Sequence, residues 1–273
     1  MTPRDILTVV TSSAQESALA AAELLAKRWQ THTTVLQLCP LPDAVLAADP
    51  VGAGLWAQAL EQARTLAAED KVRLERRLAA FVTPTEVRAG EGAGAMLDEA
   101  VAMSARHADL TVMERPRDNI GIAAFEAALF QSGRPVLLTP PGWSGVAIGK
   151  RVMIAWSAKR EAARALADAA PFLDAAEKIT VVAVDASTFY TGDKFTGYDI
   201  STHLAREGLD VSLRQVDSVG RTAEAALLDE ARDLDADLIV MGGYGHARFS
   251  EFVFGGVTRA LLGACPVPIL MSH

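Results

Sequence analysis

The residues best suited to chemistry are glycines. Gly242, Gly243 and Gly245 follow Met241 at the end of an apolar run, and Gly255 and Gly256 come ten residues later, ahead of Val257 and Thr258. Such a segment leaves a strand and enters a helix. Glycine tolerates tight turning and close backbone approach, and a helix that opens on Gly255 and Gly256 presents free N–H groups at the positive end of its dipole. Both features suit an anion such as phosphate. The same glycines also fit a long surface loop with no ligand. His246 and Arg248 are close enough in sequence to neutralise phosphate, or to stand in solvent as ordinary loop residues.

No set of nucleophile, base and oxyanion donor is evident. His32, His107, His203, His246 and His273 are scattered and form no HExxH or similar metal spacing. Cys39 and Cys265 lack CxxC or Cys/His ligand spacing and read as small core residues. Gly90, Gly92 and Gly94 partly match a dinucleotide fingerprint, but they follow the third strand rather than the first and read as a strand-to-helix turn.

The elements that position the glycine loop occur twice. The hexapeptide at 108–113 recurs at 236–241 with five of six residues identical, an offset of 128. Such self-similarity points to a duplicated unit. In the first half strands are expected near 5–11, 32–38, 83–88, 109–113 and 135–139. In the second they are expected near 150–156, 178–184, 210–216, 237–241 and 267–271. Helical patterns separate them, so the fold class is α/β, with parallel sheets covered on both faces. Asp109 and Asp237 open strands at the edge away from any ligand crevice, where capping or turn roles are expected. A long helix is expected from about Trp56 to Ala80, with Leu60, Ala63, Ala67, Leu74 and Leu78 on its sheet and residues 69–77 solvated. Prolines and glycines at 139–145 set a boundary near residue 145, giving domains 1–145 and 146–273.

The chain has 273 residues, 34 acidic and 26 basic side chains and a net charge of −8. This sign argues against nucleic acid and anionic membrane as general partners. No apolar run approaches the roughly 18 residues of a membrane span. Sparse cysteine and the absence of a signal pattern at the start suit the cytoplasm.

The spacing Gly242, two residues, Gly245, nine residues, Gly255 resembles the nucleotide loop of the universal stress protein family. Its place after the fourth strand, and residues 154–156 followed by 160–164, strengthen the resemblance, which extends over both halves. The resemblance implies tandem doubly wound five-stranded sheets of order 3-2-1-4-5. It implies ATP or another adenine nucleotide with Mg2+, phosphates on Gly242, Gly245, Gly255, Gly256 and Val257, and base and ribose near Trp156, Ser157, Val184 and Met241. It implies a stress-response regulator with little or no catalysis; a protein-interaction module with vestigial sites, or a nucleotide hydrolase, are the alternatives. It also implies pairing of last strands, 136–139 against 267–271, within a chain or in a homo-oligomer.

Two residues depart from the family pattern. Gly256 stands where serine or threonine follows the third motif glycine, leaving Thr258 as the nearest hydroxyl. Ser157 stands where an aspartate is common. In the first half Met113 is followed by Glu114, Arg115 and Pro116 instead of glycines, so that copy is expected to have lost the site.

Overall fold

The computed structural model describes residues 2–44, 50–185, 196–243, 263 and 265–273. The chain divides into two compact units, one of residues 3–134 and one of residues 135–273 together with the first two.

In the first unit β1 (Asp5–Val10), β2 (His32–Pro40), β3 (Thr85–Gly92) and β4 (Leu110–Glu114) pair in parallel in the order β3-β2-β1-β4. Helices α1 (Glu16–Trp29), α2 (Pro50–Leu78), α3 (Ala95–Arg106) and α4 (Asn119–Gln131) alternate with them. All but the first residue of β1 are buried, as befits a central parallel strand covered on both faces. Alanines and leucines of α1, from Ala18 to Ala26, recur at helical spacing and are buried. Asp118 caps α4 by accepting the Gly121 N–H at 2.7 Å.

Three expectations need correction here. Helix α2 starts at Pro50, earlier than Trp56, because proline is well suited to a first helical turn. Its Leu74 and Leu78 join Val10, Leu19 and Val35 in the core, whereas Leu60, Ala63 and Ala67 are only half-buried. Nor is 69–77 simply a solvated face. Arg77 bridges Glu16 at 3.0 Å and Glu23 at 2.8 Å on α1, and Asp70 accepts from Ser13 and Arg73. In the glycine-rich run, Gly90 and Gly92 belong to β3 and pair with Leu38 and Pro40; only Gly94, at φ 50°, makes the turn into α3.

The second unit contains β5 (Val136–Thr139), β6 (Arg151–Ala155), β7 (Lys178–Val184), β8 (Val211–Val216), β9 (Leu238–Gly242) and β10 (Ile269–Ser272). Helices α5 (Arg160–Asp168), α6 (Ala170–Leu173), α7 (Thr196–Arg206) and α8 (Ala223–Asp233) lie between them in sequence. The order is β5-β10-β9-β6-β7-β8. Strands β6 to β10 thus realise the 3-2-1-4-5 order in parallel. Strand β5 runs antiparallel to β10, with Leu138 opposite Ile269 and Val136 opposite Met271. The pairing expected of the last strands is therefore met inside the chain. Cys39 and Cys265 are free and buried in the core. Among the described residues, no helix is long and apolar enough to cross a membrane.

The repeated aspartates do the same task in each unit. Asp109 accepts the N–H groups of Arg4 and Asp5 at 2.8 and 3.2 Å. Asp237 accepts those of Gly149, Lys150 and Arg151 at 2.8, 2.9 and 3.1 Å. Each carboxylate fastens the entry of the neighbouring central strand. Replacing Asp237 with alanine strands three donors and should lower stability by about 3 kcal/mol, more than Asp109→Ala, when urea unfolding midpoints are compared.

Candidate functional site

Strand order reverses between β6 and β9: from β6 the chain proceeds to β7 and β8, and from β9 to β10 on the other side. Ala155 of β6 pairs with Met241 of β9 and with Val182 of β7. Open α/β sheets form their ligand crevice at the carboxyl ends of strands at such a reversal.

Five of the expected residues come to this edge. Trp156 and Ser157 leave β6, Val184 closes β7, and Met241 and Gly242 close β9. The Trp156 N–H donates to the Val182 carbonyl at 2.9 Å, so the backbone remains strand-like up to the indole. Trp156 and Val184 are half-buried, Ser157 is exposed and Met241 is buried. A flat ring, an aliphatic group, a thioether and a hydroxyl make a rim suited to a base and a ribose. Gly245, His246, Arg248, Gly255, Gly256, Val257 and Thr258 lie outside the described residues. Beyond β7, Asp185 has φ 52° and accepts the Ser218 N–H at 2.9 Å. That bond holds its carboxyl below the usual carboxylate range and ties the loop after β7 to the loop after β8.

Gly242 is required by its neighbours. A Cβ there would lie 2.5 Å from the Ala162 nitrogen and 2.6 Å from the Glu161 carbonyl carbon. These are backbone atoms in the first turn of α5, so nothing flexible can give way. The glycine thus permits close approach of a helix as well as of any ligand. The next residue is fixed from β10: the Gly243 N–H donates to the Ser272 carbonyl at 2.8 Å, and His273 Nδ1 lies 3.0 Å from the Gly243 oxygen. Ser272 Oγ donates in turn to Asp168 on α5 at 2.9 Å.

Glu161 is the residue that sequence reasoning missed. It is only 7% exposed, and Arg160 Nε donates to its Oε1 at 2.6 Å. Burial opposes its charged form, yet the Arg160 bond, its own backbone N–H and the charges of Arg160 and His273 together hold the carboxyl below its ordinary range. The available signal was its spacing: Glu161 precedes Ala165 by four residues on a helix whose inner face is Ala162, Ala165 and Leu166.

The first unit contains the corresponding junction. Glu114 ends β4 where Gly242 ends β9, and the second residue of α1 is Ser17 where that of α5 is Glu161. The buried Ser17 hydroxyl donates to the Glu114 carboxylate. In each unit the first turn of this helix closely approaches the end of the fourth strand, through Ser17 and Glu114 in the first and through the Glu161 and Ala162 main chain and Gly242 in the second. Among the described residues, no group of three His, Cys, Asp or Glu could hold a metal ion.

Residues 149–273 match the model of the universal stress protein family. No curated protein matches the chain. Among solved structures, it is similar to a universal stress protein from Archaeoglobus fulgidus DSM 4304, with TM-score 0.72, 17% identity, 100% of this chain and 96% of that one covered. It is also similar to a protein described as a universal stress protein from Pseudomonas aeruginosa UCBPP-PA14, with TM-score 0.60, 16% identity and coverage of 99% and 93%. A Pseudomonas aeruginosa PAO1 protein of unknown function aligns with TM-score 0.58, 15% identity and coverage of 99% and 92%. At these identities the likeness is one of fold.

Two outcomes are expected. Gly242→Ala should lower stability by about 3 kcal/mol or more in a thermal or urea melt, and adding Glu161→Ser should not restore it, because the atoms met by the new Cβ are main-chain atoms of α5. Because the native Glu161 carboxyl titrates below its unfolded value, its contribution is complete above the ordinary carboxylate pKa and is lost as pH falls through the native one. Glu161→Gln should therefore flatten the decline in stability between about pH 5 and pH 3.

Proposed function

We propose, from the premise that residues 149–273 form a universal stress protein domain, that this chain is a stress-response regulator whose second half binds an adenine nucleotide. One coincidence carries the reading. The strand order reverses between β6 and β9, and the run Gly242, Gly245, Gly255 leaves the end of β9 at that point. Backbone N–H groups of the glycine run would hold phosphate, with His246 and Arg248 supplying positive charge, Gly256, Val257 and Thr258 opening the last helix, and Mg2+ accompanying a polyphosphate. Trp156, Ser157, Val184 and Met241 would receive the base and ribose. The role is binding, with little or no turnover, in the cytoplasm; the two free buried cysteines fit a reducing compartment.

For the first half we favour an architectural or docking role. The observation behind this is the Ser17–Glu114 bond, which puts a fixed negative charge where the second half has the first glycine of its loop. Strand β10 already has partners on both sides, β9 and β5, so self-association of whole chains must use another surface.

The test is mass spectrometry of small molecules released from the purified full chain, with calorimetric titration of adenine nucleotides. The expected result is binding at micromolar to submillimolar concentration, lost in Gly255→Val. Absence of both bound nucleotide and affinity at millimolar concentration would overturn the reading and leave the interaction-module alternative.

A further inference from the structure

We propose that the outer edge of β3 pairs antiparallel with the same strand of a second copy of this chain, about a two-fold axis through Val87. In the first unit β3 is the end strand of the sheet, and β2 is its strand partner among the described residues. The Thr33 N–H donates to the Pro84 carbonyl at 3.0 Å, and the Leu41 N–H donates to the Gly92 carbonyl at 2.8 Å. The N–H and C=O of one strand residue point to the same side, and the side alternates along the strand. Even-numbered residues of β3 therefore face β2, while Thr85, Val87, Ala89 and Glu91 turn their main-chain groups outwards. Such an edge is a template for a further strand.

Charge complementarity selects a second copy as the occupant. Glu86 and Arg88 share one face of β3 and pair with each other, and the Thr34 hydroxyl donates to the Glu86 carboxylate at 3.0 Å. Val87 packs against the core cluster of Leu74 and Leu78 on the other face. An axis through Val87 sets Val87 opposite itself and Thr85 opposite Ala89 of the second copy, at positions that exchange both main-chain hydrogen bonds. Glu86 then stands opposite Arg88 in both directions, at the intervening positions where opposed side chains come closest. The pairs within and between strands close into a square of alternating charge. An axis through Glu86 or Arg88 would set like charges together instead, and one through Ala89 would set Arg88 against Gly90. The Val87 axis also brings the head of each β3 to the tail of the other, and exposed apolar side chains stand at both ends, Val82 at 77% and Met96 at 66%. The edge strand of the second unit, β8, lacks this pattern. Its Val216 carbonyl faces β7, so an axis through Leu213 would set Ser212 against Arg214, which is bound to Glu230 at 2.9 Å.

Sedimentation velocity of the full chain over a range of concentrations tests the pairing, with circular dichroism and thermal melts to establish that each variant folds. The native chain is expected to form a dimer that weakens as salt rises. Glu86→Lys and Arg88→Glu should each weaken it by about tenfold or more. The chain carrying both changes should return to within about threefold of the native affinity, because the square is rebuilt with its signs exchanged. An equimolar mixture of the two single variants should form a heterodimer by the same complementarity. Ala89→Pro, which removes an outward N–H and no bond to β2, should abolish the dimer. A native chain that stays monomeric up to millimolar concentration, assemblies that grow beyond a dimer, or a dimer indifferent to these substitutions would overturn the proposal.

Discussion

The two central strands of each unit are locked in register by one carboxylate at their entry. Asp237 gathers three consecutive backbone N–H groups ahead of β6, and Asp109 gathers two ahead of β1. A parallel pair has evenly spaced, slanted hydrogen bonds and no hairpin to set its register. A fixed point at the amino ends therefore decides which residues meet at the carboxyl ends. In the second unit it places Ala155 beside Met241, and hence Trp156 and Ser157 beside Gly242. A slip of one residue would turn each side chain to the opposite face of the sheet.

At the far end of the same strands the units solve one packing problem in two ways. The helix after the first strand approaches the end of the fourth closely. In the first unit the contact is polar, the Ser17 hydroxyl donating to the Glu114 carboxylate. In the second it is between main chains, the Glu161 and Ala162 backbone lying against Gly242. Substitution at one partner constrains the other, so a glycine that belongs to a ligand motif is also a packing residue.

Much of this was legible in the sequence because it is written in local patterns. Short β-branched runs flanked by alanine-rich helical stretches identify all ten strands to within a few residues, and the repeated hexapeptide ending in Met113 and Met241 reveals the duplication. The placement of Trp156, Val184, Met241 and Gly242 at or just beyond strand ends follows from the same patterns. What the sequence does not reveal arises from tertiary contact. The start of α2 at Pro50 and the surface of its first half depend on what the helix meets. Glu161 reads as one more polar residue on an amphipathic helix; its burial is fixed by a glycine more than eighty positions away in sequence. The charges of 69–77 look solvated until α1 brings Glu16 and Glu23 to Arg77.

The antiparallel pairing of β5 with β10 affects how the chain reaches this state. Residues 136–139 form a short, buried strand whose partner β10 follows it only after nearly half the chain. The first unit has its four paired strands complete long before that. The pairing of β5 with β10 has to wait, since the contact joining Leu138 to Ile269 spans nearly half the chain and long-range pairing of this kind forms slowly. During synthesis, then, the side of this four-residue strand that β10 covers stays open until residues 269–272 have emerged.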